Sequence, residues 1–131
     1  MTTDAVGRSI KVIRWMAVVN LVLVALQPLS AGFFLSGYGR ATAIHASVAL
    51  ALQVGTAIQA ATAVLLWRRR RVPAWVAGLG LGLFVVMFLQ VGFGYRKSFW
   101  LHVPLGVALF GWLTRQVSML DRLWRTTGAR S

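Results

Sequence analysis

Leu101-His102-Val103-Pro104-Leu105-Gly106-Val107-Ala108-Leu109 has an echo upstream, Ile44-His45-Ala46-Ser47-Val48-Ala49-Leu50-Ala51-Leu52. Each stretch runs through an apolar residue, a histidine and two variable positions. Each then closes with a branched residue, a small one, another aliphatic, Ala and Leu. The chain has only these two histidines, so both fall inside the repeated pattern.

The surroundings of both stretches are apolar. Of the 131 residues 58% are hydrophobic and 12% charged, about half the charge a soluble domain carries. The apolar residues come in blocks longer than core helices need, and about 20 apolar residues span a bilayer as a helix. The pattern predicts an all-α, integral membrane four-helix bundle occupying 1–131 as one domain, with no room for a separate soluble module. The predicted helices cover 10–36, 41–67, 73–94 and 99–120. The first apolar run, Trp15 to Leu35, continues without a small-residue cleavage pattern, and is expected to persist as the first span. Pro28 is a candidate kink in it, and Pro73 suits the first turn of the third helix.

The net charge of +12 does not point to nucleic acid, because the basic residues sit at the ends of apolar blocks. There they orient a membrane protein. Arg8, Lys11 and Arg14 precede the first run, Arg68-Arg69-Arg70-Arg71 separate the second from the third, and Arg115, Arg122, Arg125 and Arg130 mark the C-terminal side. All three groups belong on one face, which predicts both termini cytoplasmic in a multi-pass protein of the cell membrane. The run 68–71 is read first as a topology determinant, with anionic-lipid binding as a secondary role. The other two connections hold only Arg40, Arg96 and Lys97 and face outward.

The histidine motifs belong to a longer similarity. Leu26-Gln27-Pro28-Leu29-Ser30-Ala31-Gly32-Phe33 resembles Leu89-Gln90-Val91-Gly92-Phe93-Gly94. Each is followed by a tyrosine and basic residues, and then by the histidine motif. The unit is a helix with Gln, an outer turn and a helix with His, used twice: two tandem helix hairpins related by an axis along the membrane normal.

At 1.5 Å per residue, His45 and His102 each lie about 6 Å inside the outer boundary and should face one another. Ala49 and Gly106, one turn deeper, leave space beneath them. Two neutral imidazoles at equal depth suit one haem b held at both axial positions. Arg40, Arg96 and Lys97 would pair with its propionates. Phe93, Tyr95, Phe99 and Trp100 would cover its edge or form an interfacial belt. Gln27 and Gln90 are donors to a propionate, a histidine or a quinone, or else glue between helices. Other readings of the histidines stay open: a structural hydrogen-bonded pair, a proton relay, or another metal.

Several chemistries are excluded. Cysteine is absent, which removes disulfides, thiolate metal sites, iron–sulfur clusters and covalently attached c-type haem. The only two carboxylates, Asp4 and Asp121, lie outside the spans, against carboxylate-coupled transport, small drug exporters and acid–base hydrolysis. Two histidines lack the further ligands zinc expects, and Met16, Met87 and Met119 read as packing rather than haem ligands. Gln53 and Gln59 imply a polar interior or a partner contact. Gly78, Gly80 and Gly82 form a small-residue face that permits a homo-oligomer.

At Phe88-Leu89-Gln90-Val91-Gly92, followed by Leu101-His102 and its small and aliphatic successors, the chain resembles one four-helix half of the haem A synthase family. The resemblance covers about residues 15–120. It implies histidines at the outer ends of helices two and four binding haem, carried over to His45 and His102. The acidic residue and cysteine pair of the family's first outer loop have no counterpart in Ser36 to Arg40, and the second histidine pair is missing. The expectation is thus a compact membrane cytochrome b. Its activity would be one-electron transfer from a membrane quinol to an outward-facing redox protein or small oxidant, a haem-dependent oxidoreductase chemistry; haem storage, sensing or delivery uses the same ligands. The alternatives are a haem-free structural or assembly protein, and a small transporter or proton channel.

Overall fold

A computed structural model describes residues 3–128. The chain forms four helices and, among the described residues, no strand: α1 (Thr3–Leu35), α2 (Ala41–Arg68), α3 (Ala74–Tyr95) and α4 (Phe99–Gly128). α1 starts earlier and α4 ends later than the apolar runs alone predict. At the start of α1, Val6, Ile10 and Ile13 join Leu120 and Leu123 of α4 in one apolar cluster, so both helices gain by continuing. In α4, Asp121 and Arg125 pair one turn apart (2.9 Å), and Arg14 reaches the same carboxylate from α1 (3.0 Å). Arg130, counted among the C-terminal basic residues, lies outside the described residues.

All three turns are built alike. Tyr38 N–H donates to Phe33 O and Gly37 N–H to Phe34 O. Arg71 and Arg70 repeat the pair onto Leu66 and Trp67, and Ser98 and Lys97 onto Phe93 and Gly94. This is the Schellman closure, whose penultimate residue takes the left-handed conformation. Gly37 does so at φ +88°, but Arg70 and Lys97 do so at +56° with a Cβ in place.

Short turns make successive helices antiparallel. α1 packs on α2 and α4, and α3 packs on the same two, so α2 and α4 stand on one diagonal of a square bundle. The termini and the Arg68–Arg71 turn share one end; the other two turns share the opposite end, beside the histidines. α1, α2 and α3 are long and apolar enough to cross a membrane. α4 is long enough, but its apolar run stops at Leu113 before Thr114-Arg115-Gln116. Large apolar side chains such as Val19, Leu29, Leu50, Val85, Phe88 and Val107 are exposed on the outside, as a lipid-facing surface requires.

The interior is layered. At the arginine end Ile10, Ile13, Ala17, Val76, Ala77 and Leu120 pack together. Towards the histidine end Val24, Leu52, Leu83, Met87, Leu109 and Leu113 form a second apolar cluster. Four buried polar residues, Asn20, Thr56, Gln59 and Gln116, fall between these clusters along their helices. The Asn20 Nδ2 donates to Gln59 Oε1 at 2.8 Å, and the Asn20 amide lies against Gly55, where a Cβ would collide with it. Gln59 therefore serves the interior, the question its sequence position left open. Gln53 is half-buried, its Oε1 enclosed without a partner.

Two of the three glycines in the small-residue stretch of α3 are used inside the bundle. A Cβ on Gly80 would lie 3.3 Å from Ala60 Cα, and one on Gly82 3.0 Å from the Trp112 ring. Only Gly78 of the three faces open space. α3 thus approaches α2 closely at Gly80, and seats a tryptophan of α4 at Gly82.

Candidate functional site

The diagonal placement of α2 and α4 brings their two histidines face to face across the bundle. The imidazole centres of His45 and His102 are 6.2 Å apart, with ring planes at 61°. Each ring is held by the helix before its own. His45 Nδ1 lies 3.0 Å from Ser30 Oγ, and that hydroxyl stands 2.9 Å from Gln27 O. With the hydroxyl proton on Gln27 O, Nδ1 of His45 donates to Ser30 Oγ; with the hydroxyl turned to the ring, the roles exchange. His102 Nδ1 lies 2.9 Å from Gln90 O. A carbonyl can only accept, so here Nδ1 carries the proton.

The carbonyl fixes the neutral His102 ring with its proton on Nδ1 and a lone pair left on Nε2. His45 takes the same tautomer when the Ser30 hydroxyl donates to Gln27 O. Metal-ligating histidines are oriented in this way, with one nitrogen donating to a carbonyl or similar acceptor and the other bound to the metal. The spacing agrees. Metal–imidazole bonds of about 2 Å on either side of one ion, each ring centre about 1 Å beyond its nitrogen, place opposed rings about 6 Å apart.

The two glutamines close the site in matching fashion. Gln90 Nε2 donates to His102 O at 2.8 Å, and Gln27 Nε2 donates to His45 O at 3.4 Å. Each glutamine side chain bonds from its own helix to a backbone carbonyl of the next, a contact between helices. Residue 90 thus clasps residue 102 twice, side chain to backbone and backbone to ring. Gln90 is 8% exposed, and its Oε1 is enclosed without a partner.

Two further residues shape the site and escape a reading of the sequence. Ser30 is the hydrogen-bond partner of the His45 ring. Gly94 is the hollow that admits His102: a Cβ there would lie 2.9 Å from Cε1, 3.2 Å from Nδ1 and 3.7 Å from Nε2 of that ring. Ser30 and Gly94 stand three and four residues after Gln27 and Gln90, on the same helix faces, which is the signal that would have found them. The space expected below the histidines is partly taken. Gly106 accommodates the Gln90 amide, whose Nε2 would lie 3.0 Å from a Cβ at that position. Ala49 is half-buried.

Arg40, Arg96 and Lys97 are exposed at the two turns of the histidine end. None has an ion-pair partner among the described residues. Tyr95, Phe99 and Trp100 are exposed beside them, while Phe93 is half-buried.

Among the described residues no group of three histidine, cysteine, aspartate or glutamate side chains is placed to hold a metal ion. A metal bound by His45 and His102 must then bring its remaining ligands with it. No family model, curated protein or solved structure matches the chain.

Proposed function

We propose that the chain is a membrane b-type haem protein: a four-span bundle of two tandem hairpins with both termini cytoplasmic. His45 and His102 would hold the haem iron near the outer face. Support comes chiefly from one observation. Two imidazoles stand 6.2 Å apart on diagonal helices, each with its Nδ1 engaged by the helix before its own. Haem brings four equatorial nitrogens of its own and asks the protein for the axial pair alone. That answers the lack of any third ligand.

When bound, haem supplies a one-electron couple. The chain's own residues do the rest. Ser30 and Gln90 hold the ring orientations, and with the proton on each Nδ1 both Nε2 lone pairs are available. Arg40, Arg96 and Lys97 offer three cations at the outer water boundary, suited to propionates and to steering an anionic acceptor. The activity this supports best is electron transfer between a membrane quinol and an outward-facing acceptor.

The test is a dithionite-reduced minus oxidised spectrum of the purified protein, expressed with haem supplied. Sharp reduced α and β bands at about one haem per chain are expected, and should be lost in both His45→Ala and His102→Ala. Retention of the bands in both variants would sink the assignment. Absence of haem from the wild-type chain would return the histidines to a structural pair or a proton-handling role.

A further inference from the structure

The arginine end of the bundle carries a pocket that the histidine site does not use. α1 and α4 flank the turn between α2 and α3, and leave a hollow of 440 Å³ between them and it. Its walls are Val6 and Ile10 of α1, Leu123 and Thr127 of α4, Trp67 at the end of α2, the turn residues 70–73 and Ala74 at the start of α3. Two arginines of the turn, Arg70 and Arg71, line it; Arg68 and Arg69 do not. Among the described residues no acidic side chain lines it. The nearby carboxylate of Asp121 is engaged by Arg14 and Arg125, and neither Arg70 nor Arg71 has an ion-pair partner among the described residues.

The turn itself points the same way. Arg70 occupies the left-handed position of a Schellman closure at φ +56°, where glycine carries no steric penalty and a side chain does. A cation at a helix C-terminus does gain from the macrodipole, but Arg68 and Arg69 already supply that charge at the end of α2. A pocket with aliphatic walls, an interfacial tryptophan and two unpaired guanidinium groups matches an amphiphile with a negative head.

We propose that this pocket binds the headgroup and upper acyl region of one anionic phospholipid, with Arg70 and Arg71 on the phosphate. The four-arginine run then divides into two pairs with different duties. Arg68 and Arg69 supply general positive charge at the membrane face, and Arg70 and Arg71 form a site. Basic pockets between helices at the cytoplasmic side are suited to such headgroups, and the aliphatic walls favour a lipid over a free anion.

The experiment compares the full-length wild-type chain with Arg70→Gln/Arg71→Gln and with Arg68→Gln/Arg69→Gln, which lose the same charge. Phosphatidylglycerol binding in detergent would be read by native mass spectrometry and by thermal stabilisation, with phosphatidylcholine and inorganic phosphate as the other ligands. The 70/71 pair should weaken phosphatidylglycerol on the order of 30-fold, while the 68/69 pair stays within about threefold of wild type. Arg70→Gly guards against misfolding, since it removes one cation while easing the turn, and it too should weaken the lipid. Equal losses from both double variants would overturn the site in favour of diffuse attraction. So would stabilisation by phosphatidylcholine as strong as by phosphatidylglycerol, or competition by millimolar phosphate.

Discussion

Gly94→Ala adds one methyl group at the place where the His102 ring rests. The new Cβ would meet Cε1 at 2.9 Å and Nδ1 at 3.2 Å, inside ordinary van der Waals contact, so the ring must move by about half an ångström or more. It cannot do so freely, because Nδ1 is tied to Gln90 O at 2.9 Å. Overpacking costs about 1–3 kcal/mol, and a weakened buried hydrogen bond adds about 1 kcal/mol. Replacing glycine by alanine in a helix returns up to about 1 kcal/mol. The net expectation is a destabilisation of about 1–3 kcal/mol. Gly92→Ala is the matched control: it lies two residues away in the same helix, and a Cβ there meets nothing within 4 Å. It should be neutral or stabilise by up to about 1 kcal/mol. Thermal unfolding by circular dichroism measures the difference, and haem titration reads the site. Moving His102 by this much should weaken haem by about tenfold or more, a shift of about 1.4 kcal/mol, in Gly94→Ala alone. Equal stability and equal haem affinity in the two variants would refute the packing of His102 on Gly94 described above.

Three further outcomes are expected. Lys97→Gly should stabilise the protein by about 1 kcal/mol, because the residue sits at φ +56° and glycine removes the left-handed penalty; Lys97→Ala in the same melt should give no such gain. Asn20→Leu or Gln59→Met should each cost about 1–3 kcal/mol by orphaning the other amide. The double variant should cost clearly less than the sum, and strict additivity in the cycle would show that the 2.8 Å bond contributes nothing. The hydrogen bond from Arg125, aided by Arg14, holds the Asp121 carboxyl below its ordinary value. A depressed folded-state pKa stabilises above the unfolded value, and that stability is lost as pH falls through the folded one. Wild type should therefore lose stability below the ordinary carboxylate range relative to Asp121→Asn. Parallel pH–stability curves would contradict the pairing.

The fold class and the histidine pair were legible because both rest on periodicity and rarity. Long apolar blocks leave little choice but helices, and two histidines in repeated surroundings announce each other. Gln27 and Gln90 were legible as polar residues, but their target was not. A backbone carbonyl on the next helix leaves no trace in side-chain chemistry. Ser30 read as one more polar interruption of α1, and Gly94 as one more small residue, since neither type is unusual near a helix end. The central polar layer was harder still. Asn20 and Gln59 lie 39 residues apart on the two helices of the first hairpin, and Gln116 lies fourteen residues past His102 on a helix whose apolar run has already ended. Of the small-residue stretch of α3, Gly80 and Gly82 meet Ala60 and Trp112 from within, while Gly78 stays open. Only the tertiary arrangement distinguishes those partners.

The shallow position of the histidines has an electrical consequence. In the proposed orientation they lie about 6 Å inside a hydrocarbon layer about 30 Å thick, with the cluster of Val24, Leu52, Leu83, Met87, Leu109 and Leu113 between them and the central polar layer. One elementary charge crossing the whole layer works against about 2.3 kcal/mol per 100 mV. An electron exchanged with the outer water phase crosses about a fifth of that drop, about 0.5 kcal/mol, and one arriving from the cytoplasmic face would cross the remaining four-fifths. Traffic confined to the outer side would thus be nearly indifferent to the membrane voltage. A reaction there would run within about two- to threefold of the same rate in an energised cell as in a resting one.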